Sequence, residues 1–220
     1  MKRPTRLKCW PCLLIAMAML TGCAGSRTSK PTYYYTLDYP PPGIAATTRL
    51  AFVLRVDRFA VTPPFDTRRM IYADKGLHRN AYAHFQWVAA PGEMLAFFLG
   101  RDLRESQAFD AVLPPDAAAP PTHVIQGWID TFLEEDFTAT GQASLTLSII
   151  LIDARETDAT RRILFQQSYT AKTDCTAKTP AALAEAMSRA ASSVSARLVQ
   201  DIYDALGQLK KTINQTGRRP

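Results

Sequence analysis

Histidine is scarce: His78, His84 and His123 are the only three in 220 residues. No two of them stand four apart on a helical pattern and no H-E-x-x-H occurs, so the sequence offers no zinc-site spacing. G-x-S-x-G, G-x-x-x-x-G-K-[ST] and G-x-G-x-x-G are absent too. Their absence removes the serine-hydrolase elbow, the phosphate-binding loop and the dinucleotide fingerprint. Long apolar runs are also missing. Cys9 to Leu20 carries no charge over twelve residues, too short for a membrane span of ~20 residues. No later run approaches spanning length.

That short run follows Lys2, Arg3, Arg6 and Lys8, with no acid among them. A basic start followed by an apolar stretch of this length has the form of a secretory signal. The C-x-x-C of Cys9-Trp10-Pro11-Cys12 lies inside it and would leave with it, taking a redox or metal reading away. Leu20-Thr21-Gly22-Cys23 resembles the bacterial lipobox, in which cleavage precedes a cysteine whose thiolate accepts a diacylglycerol. Ala24 follows the cysteine where an inner-membrane retention signal would have Asp, which favours the outer membrane. The expected cofactor is therefore none beyond the covalent lipid on Cys23.

Four of the 26 basic residues and none of the 20 acidic ones lie in residues 1–22, so removing them lowers the net charge from +6 to +2. That leaves no strong basic patch for nucleic acid. The remaining cysteines are a lipidated Cys23 and a lone Cys175, so no internal disulfide is expected and the fold must rest on its core.

Small and polar residues at 24–32 predict a linker. The expected organisation is a removed signal at 1–22, the lipidated cysteine and linker at 23–32, one domain at 33–211 and a polar tail at 212–220. Strands are expected at Tyr33–Leu37, at Leu50–Asp57 and at short segments around Ile71 and Ala81. A helix should open at Pro91 and run to about Gln107. Three strands should follow over 124–137, 143–153 and 163–172, paired as an antiparallel meander, with Ile125, Ile129 and Leu133 on one face. Thr179-Pro180 caps a last helix carrying Leu183, Met187, Val194, Leu198 and Ile202 at steps of three and four. The predicted fold class is α+β: one domain, an antiparallel-rich sheet with two main helices on one face.

The remaining polar groups do not assemble a reaction centre on the page of the sequence. Glu134-Glu135-Asp136 are consecutive and read as a solvated strand end. Cys175 stands beside Asp174, whose charge raises a thiol pKa. No catalytic residue and no metal site are expected. Trp128, with Asp130 and Phe132 on its strand face, is either a contact stripe or packing under a loop. Trp87 at the strand-to-helix junction is either a core plug or an aromatic anchor beside Tyr82. Tyr82, Trp87 and Trp128 are thus the candidate partner contacts.

Tyr34-Tyr35-Thr36-Leu37, Leu54-Arg55-Val56, Pro64-Phe65-Asp66-Thr67-Arg68-Arg69-Met70-Ile71-Tyr72 and the Tyr82 to Trp87 spacing, with the late helix, resemble the ABC-type transport auxiliary lipoprotein family. The resemblance implies a non-catalytic lipoprotein on the periplasmic face of the outer membrane of a Gram-negative cell. It would dock a mammalian-cell-entry-domain protein of a system moving lipids or other hydrophobic molecules. Expected partners are that protein, the outer membrane through the lipid, and a further copy of the chain. The alternative is an assembly factor for a secretion pore or surface-polymer exporter.

Overall fold

A computed structural model describes residues 30–74, 77–136 and 139–216. The expected signal and the lipidation of Cys23 fall outside these residues, as does the end of the polar tail.

Strands β1 (Tyr33–Tyr35), β2 (Leu50–Val56), β3 (Ala60–Val61), β4 (Arg69–Ala73) and β5 (Asn80–Trp87) precede helix α1 (Pro91–Glu105). Then come β6 (Phe109–Leu113), β7 (His123–Glu135), β8 (Gln142–Asp153), a single turn of helix α2 (Ala159–Arg162), β9 (Ile163–Asp174) and the long α3 (Pro180–Thr216). The sequence pattern anticipates all but β3, β6 and α2. Helix α3 also runs five residues past the expected end at 211.

β7 is the spine of the sheet. On one side it pairs antiparallel with β8, and β8 with β9, which is the expected meander. Its other edge is shared by three parallel strands in turn: β2 beside His123–Ile125, β3 beside Trp128–Ile129 and β4 beside Glu134–Glu135. β6 flanks β2 in parallel, β5 flanks β4 antiparallel and β1 flanks β5 in parallel. The sheet is therefore mixed. The long ladders are antiparallel as expected, but the chain returns repeatedly to the same edge of β7 and runs along it in one direction.

Both main helices cover one face. Leu145, Leu147, Ile149 and Leu151 of β8 alternate toward α3, which answers with Leu183, Met187, Val194, Leu198 and Ile202, all buried. Pro91 starts α1 where its missing N–H costs nothing, and Glu93 in the first turn favours the helix dipole. Gly92 is required there: a Cβ would lie 2.2 Å from the Phe59 carbonyl oxygen, so the helix start seats directly on the chain leading into β3.

A bulge between Ile129 and Thr131 overturns the expected stripe on β7. It places Phe132 opposite Leu145 on the helix-covered face, and Leu133 opposite Ser144 on the other. For the same reason Phe132 does not share a face with Trp128 and Asp130, the stripe expected for them. Glu134, expected at a solvated end, falls on the covered face opposite Ala143 and is 1% exposed.

Candidate functional site

The three expected contact residues are not brought together. Trp87 closes β5 and is 1% exposed. Its ring meets Phe132 edge-on at 5.3 Å, and its backbone N–H donates to the Arg68 carbonyl at 2.7 Å. Trp87 is a core plug, and its burial removes it from the contact residues. Trp128 is half-buried and faces away from the helices, opposite Ser148, with Asp130 accepting from the Ser148 hydroxyl at 2.9 Å. Tyr82 is half-buried at the covered side, where its hydroxyl donates to Glu134 Oε2 at 2.7 Å. Burial, then the hydrogen bond to Glu134, pushes the Tyr82 hydroxyl pKa up, and burial raises that of the Glu134 carboxyl.

What Tyr82 does join is an aromatic face spread over β1, β5 and β4. Tyr72 and Tyr82 lie 5.0 Å apart between ring centroids, Tyr82 meets Phe85 edge-on at 6.2 Å, and Phe85 stacks on Tyr33 at 5.6 Å. Tyr35 approaches the same Phe85 ring at 6.3 Å. Alternation along β1 sends Tyr34 to the other side. There the Arg68 guanidinium lies 5.3 Å over its ring, and Tyr34, Gln86 and Arg69 stand in register across three strands. Tyr33 and Tyr34 are 53% and 55% exposed. The sequence signal was the Tyr33-Tyr34-Tyr35 run directly after the linker, but only pairing with β5 shows that the run continues into Phe85 and Tyr82.

A second apolar feature is a cleft of about 350 Å³ between α1 and Leu113–Asp116. Phe97, 63% exposed, lines it with Val56, Ala96 and Pro114, and the Arg58–Glu93 ion pair at 3.1 Å borders it.

The buried polar groups fasten the fold. Asp102 on α1, fully buried, accepts from the Tyr39 hydroxyl at 3.0 Å, the Ser195 hydroxyl at 2.5 Å and Arg101 Nη2 at 2.7 Å. One carboxylate thus joins α1, α3 and the chain after β1. His123 is fully buried, with Nδ1 2.9 Å from the Thr122 hydroxyl and Phe52 edge-on at 4.9 Å. Burial lowers its pKa to about 4. Cys175 is buried, and burial followed by the Glu134 charge pushes its thiol up to about 11, which keeps it un-ionised at neutral pH. Among the described residues no group of three or more His, Cys, Asp or Glu could hold a metal ion, and no helix is long and apolar enough to cross a membrane.

The fold has solved counterparts. A protein of Xanthomonas campestris superposes with a TM-score of 0.72 at 17% identity, over 81% of this chain and 98% of that one. A further crystal structure of an uncharacterized protein gives 0.62 at 10% identity, over 79% and 99%. A hypothetical protein of Chlamydia trachomatis gives 0.53 at 8% identity, over 71% and 98%. At these identities the likeness concerns the fold. No curated protein matches the sequence. The family model for the ABC-type transport auxiliary lipoprotein component matches residues 35–199, from the end of β1 to the middle of α3. The chain belongs to the ABC-type transport auxiliary lipoprotein family.

Proposed function

We propose that this chain is a non-catalytic docking component of an ABC-type transport system with mammalian-cell-entry domains, held by acylated Cys23 at the periplasmic face of the outer membrane. The family assignment supports the auxiliary role, because it concerns a lipoprotein component of ABC-type transport. Two further observations support it. In the core the Tyr39 and Ser195 hydroxyls both bond to Asp102, and the Tyr82 hydroxyl bonds to Glu134, so these groups are engaged in fastening the fold. The surface instead offers aromatic side chains, the residue types that dominate binding energy at interfaces.

The direct test is in-cell cross-linking followed by purification of the tagged chain from the outer-membrane fraction. Recovery of a mammalian-cell-entry-domain protein is expected. Recovery of secretion or polymer-export components in its place would overturn the reading.

A further inference from the structure

We propose that the β1 edge of the sheet, with Tyr33 on one side and Tyr34 beside Arg68 and Arg69 on the other, rests on the headgroup layer of the membrane to which the chain is tethered. The inference rests on the reading of Cys23 as the lipid anchor. It deepens that reading by naming the surface that meets the bilayer.

Position carries the first part. Tyr33 follows Cys23 by ten residues, which can span at most ~35 Å. β1 is where the chain enters the domain, and it forms one edge of the sheet beyond β5. Whatever orientation the domain takes, this edge has the shortest lead to the anchor.

Chemistry carries the second part. More than half of Tyr33 and of Tyr34 is left in water, although both rings are large and apolar. Tyrosine combines an apolar ring with a hydroxyl that needs a polar partner, which suits the boundary between headgroup and acyl chain. The neighbouring charges have the sign that an anionic leaflet attracts: Arg68, stacked over Tyr34, and Arg69, in register beside it, are both exposed. The stacking holds the guanidinium against the ring, so one lipid phosphate can meet the cation while its glycerol region meets the tyrosine.

The test uses the mature acylated chain in vesicles of phosphatidylethanolamine and phosphatidylglycerol. Tyr34→Cys is labelled with a small fluorophore. Cys175 is buried and Cys23 is acylated, so the label goes to one place. Gln166→Cys is the control: it is exposed on β9, at the far end of the pairing path β1-β5-β4-β7-β8-β9. With lipids carrying a headgroup-level quencher, the Tyr34 label should lose most of its fluorescence and the Gln166 label little. Arg68→Glu with Arg69→Glu, or raised salt, should return the Tyr34 signal toward the control. Equal weak quenching at both sites on a chain that floats with the vesicles overturns the inference and leaves the anchor standing. Shielding of Tyr34 only after a mammalian-cell-entry-domain protein is added overturns it in favour of a protein dock. A chain that does not float with the vesicles removes the anchor, and the inference with it.

Discussion

Replacing Trp87 by alanine separates packing from docking at the junction of β5 and α1. The indole is 1% exposed and contacts Phe132 on the covered side of β7. Its backbone bond to Arg68 survives the substitution, so the loss is confined to the side chain. Truncating a buried aromatic costs ~3–5 kcal/mol, the transfer term plus the void left behind. For a domain of this size each kcal/mol lowers the melting temperature by roughly 2–4 °C, so a fall of about 6–20 °C is expected. Phenylalanine at the same position keeps a ring against Phe132 and should recover much of it. Thermal unfolding followed by circular dichroism measures the effect. Capture of a transport partner by the folded variant, below its own transition, should be unchanged. A variant that melts within about 2 °C of the parent yet fails to capture the partner would refute the core-plug argument.

Three further outcomes are expected. His123 is neutral in the fold down to about 4, whereas an unfolded histidine takes up its proton near 6.5. The unfolded chain therefore binds the extra proton between those values, and stability falls as pH is lowered through that window. Between pH 8 and 5 the loss should reach about 2 kcal/mol in urea titrations, and His123→Phe should flatten it. Asp102→Ala strands the Tyr39 and Ser195 hydroxyls and the Arg101 guanidinium, and should cost ~3–5 kcal/mol in the same titration; a cost under about 1 kcal/mol would show that the three-way node does not hold the helices together. Cys23→Ala should move folded protein to the soluble periplasmic fraction on cell fractionation, and continued pelleting with outer membrane would mean that another surface suffices to hold it.

Strong periodicity made the large elements legible. The α3 stripe at 183, 187, 194, 198 and 202 and the clean alternation of β8 both lie where the pattern puts them. β6 was hidden because Phe109-Asp110-Ala111-Val112-Leu113 is short and hardly alternates. Its strand character comes from its parallel partner β2, a contact 58 or 59 residues away in sequence that no local pattern encodes. The bulge in β7 was hidden for a related reason. Nothing in Ile129-Asp130-Thr131-Phe132 marks an extra residue, yet that single insertion exchanges Phe132 and Leu133 between faces and draws Glu134 inward.

The aromatic face shows the same limit from the functional side. Chemical absence is readable from sequence because a missing motif is missing in any fold. A surface is different, since its members need only be neighbours across strands. Trp87 and Tyr82 stand five residues apart and suggested one anchor. The strand pairing instead carries Trp87 to Phe132 in the core, while Tyr82 is linked through Phe85 to Tyr33, almost fifty positions earlier. The slip between Arg69 and Ile71 opposite Ala81–Gln86 makes this exchange, because it breaks the alternation that would have kept Tyr82, His84 and Gln86 on one side. One irregular pairing thus places Tyr82 with Phe85 and Tyr33, on strands that end in the sheet edge formed by β1.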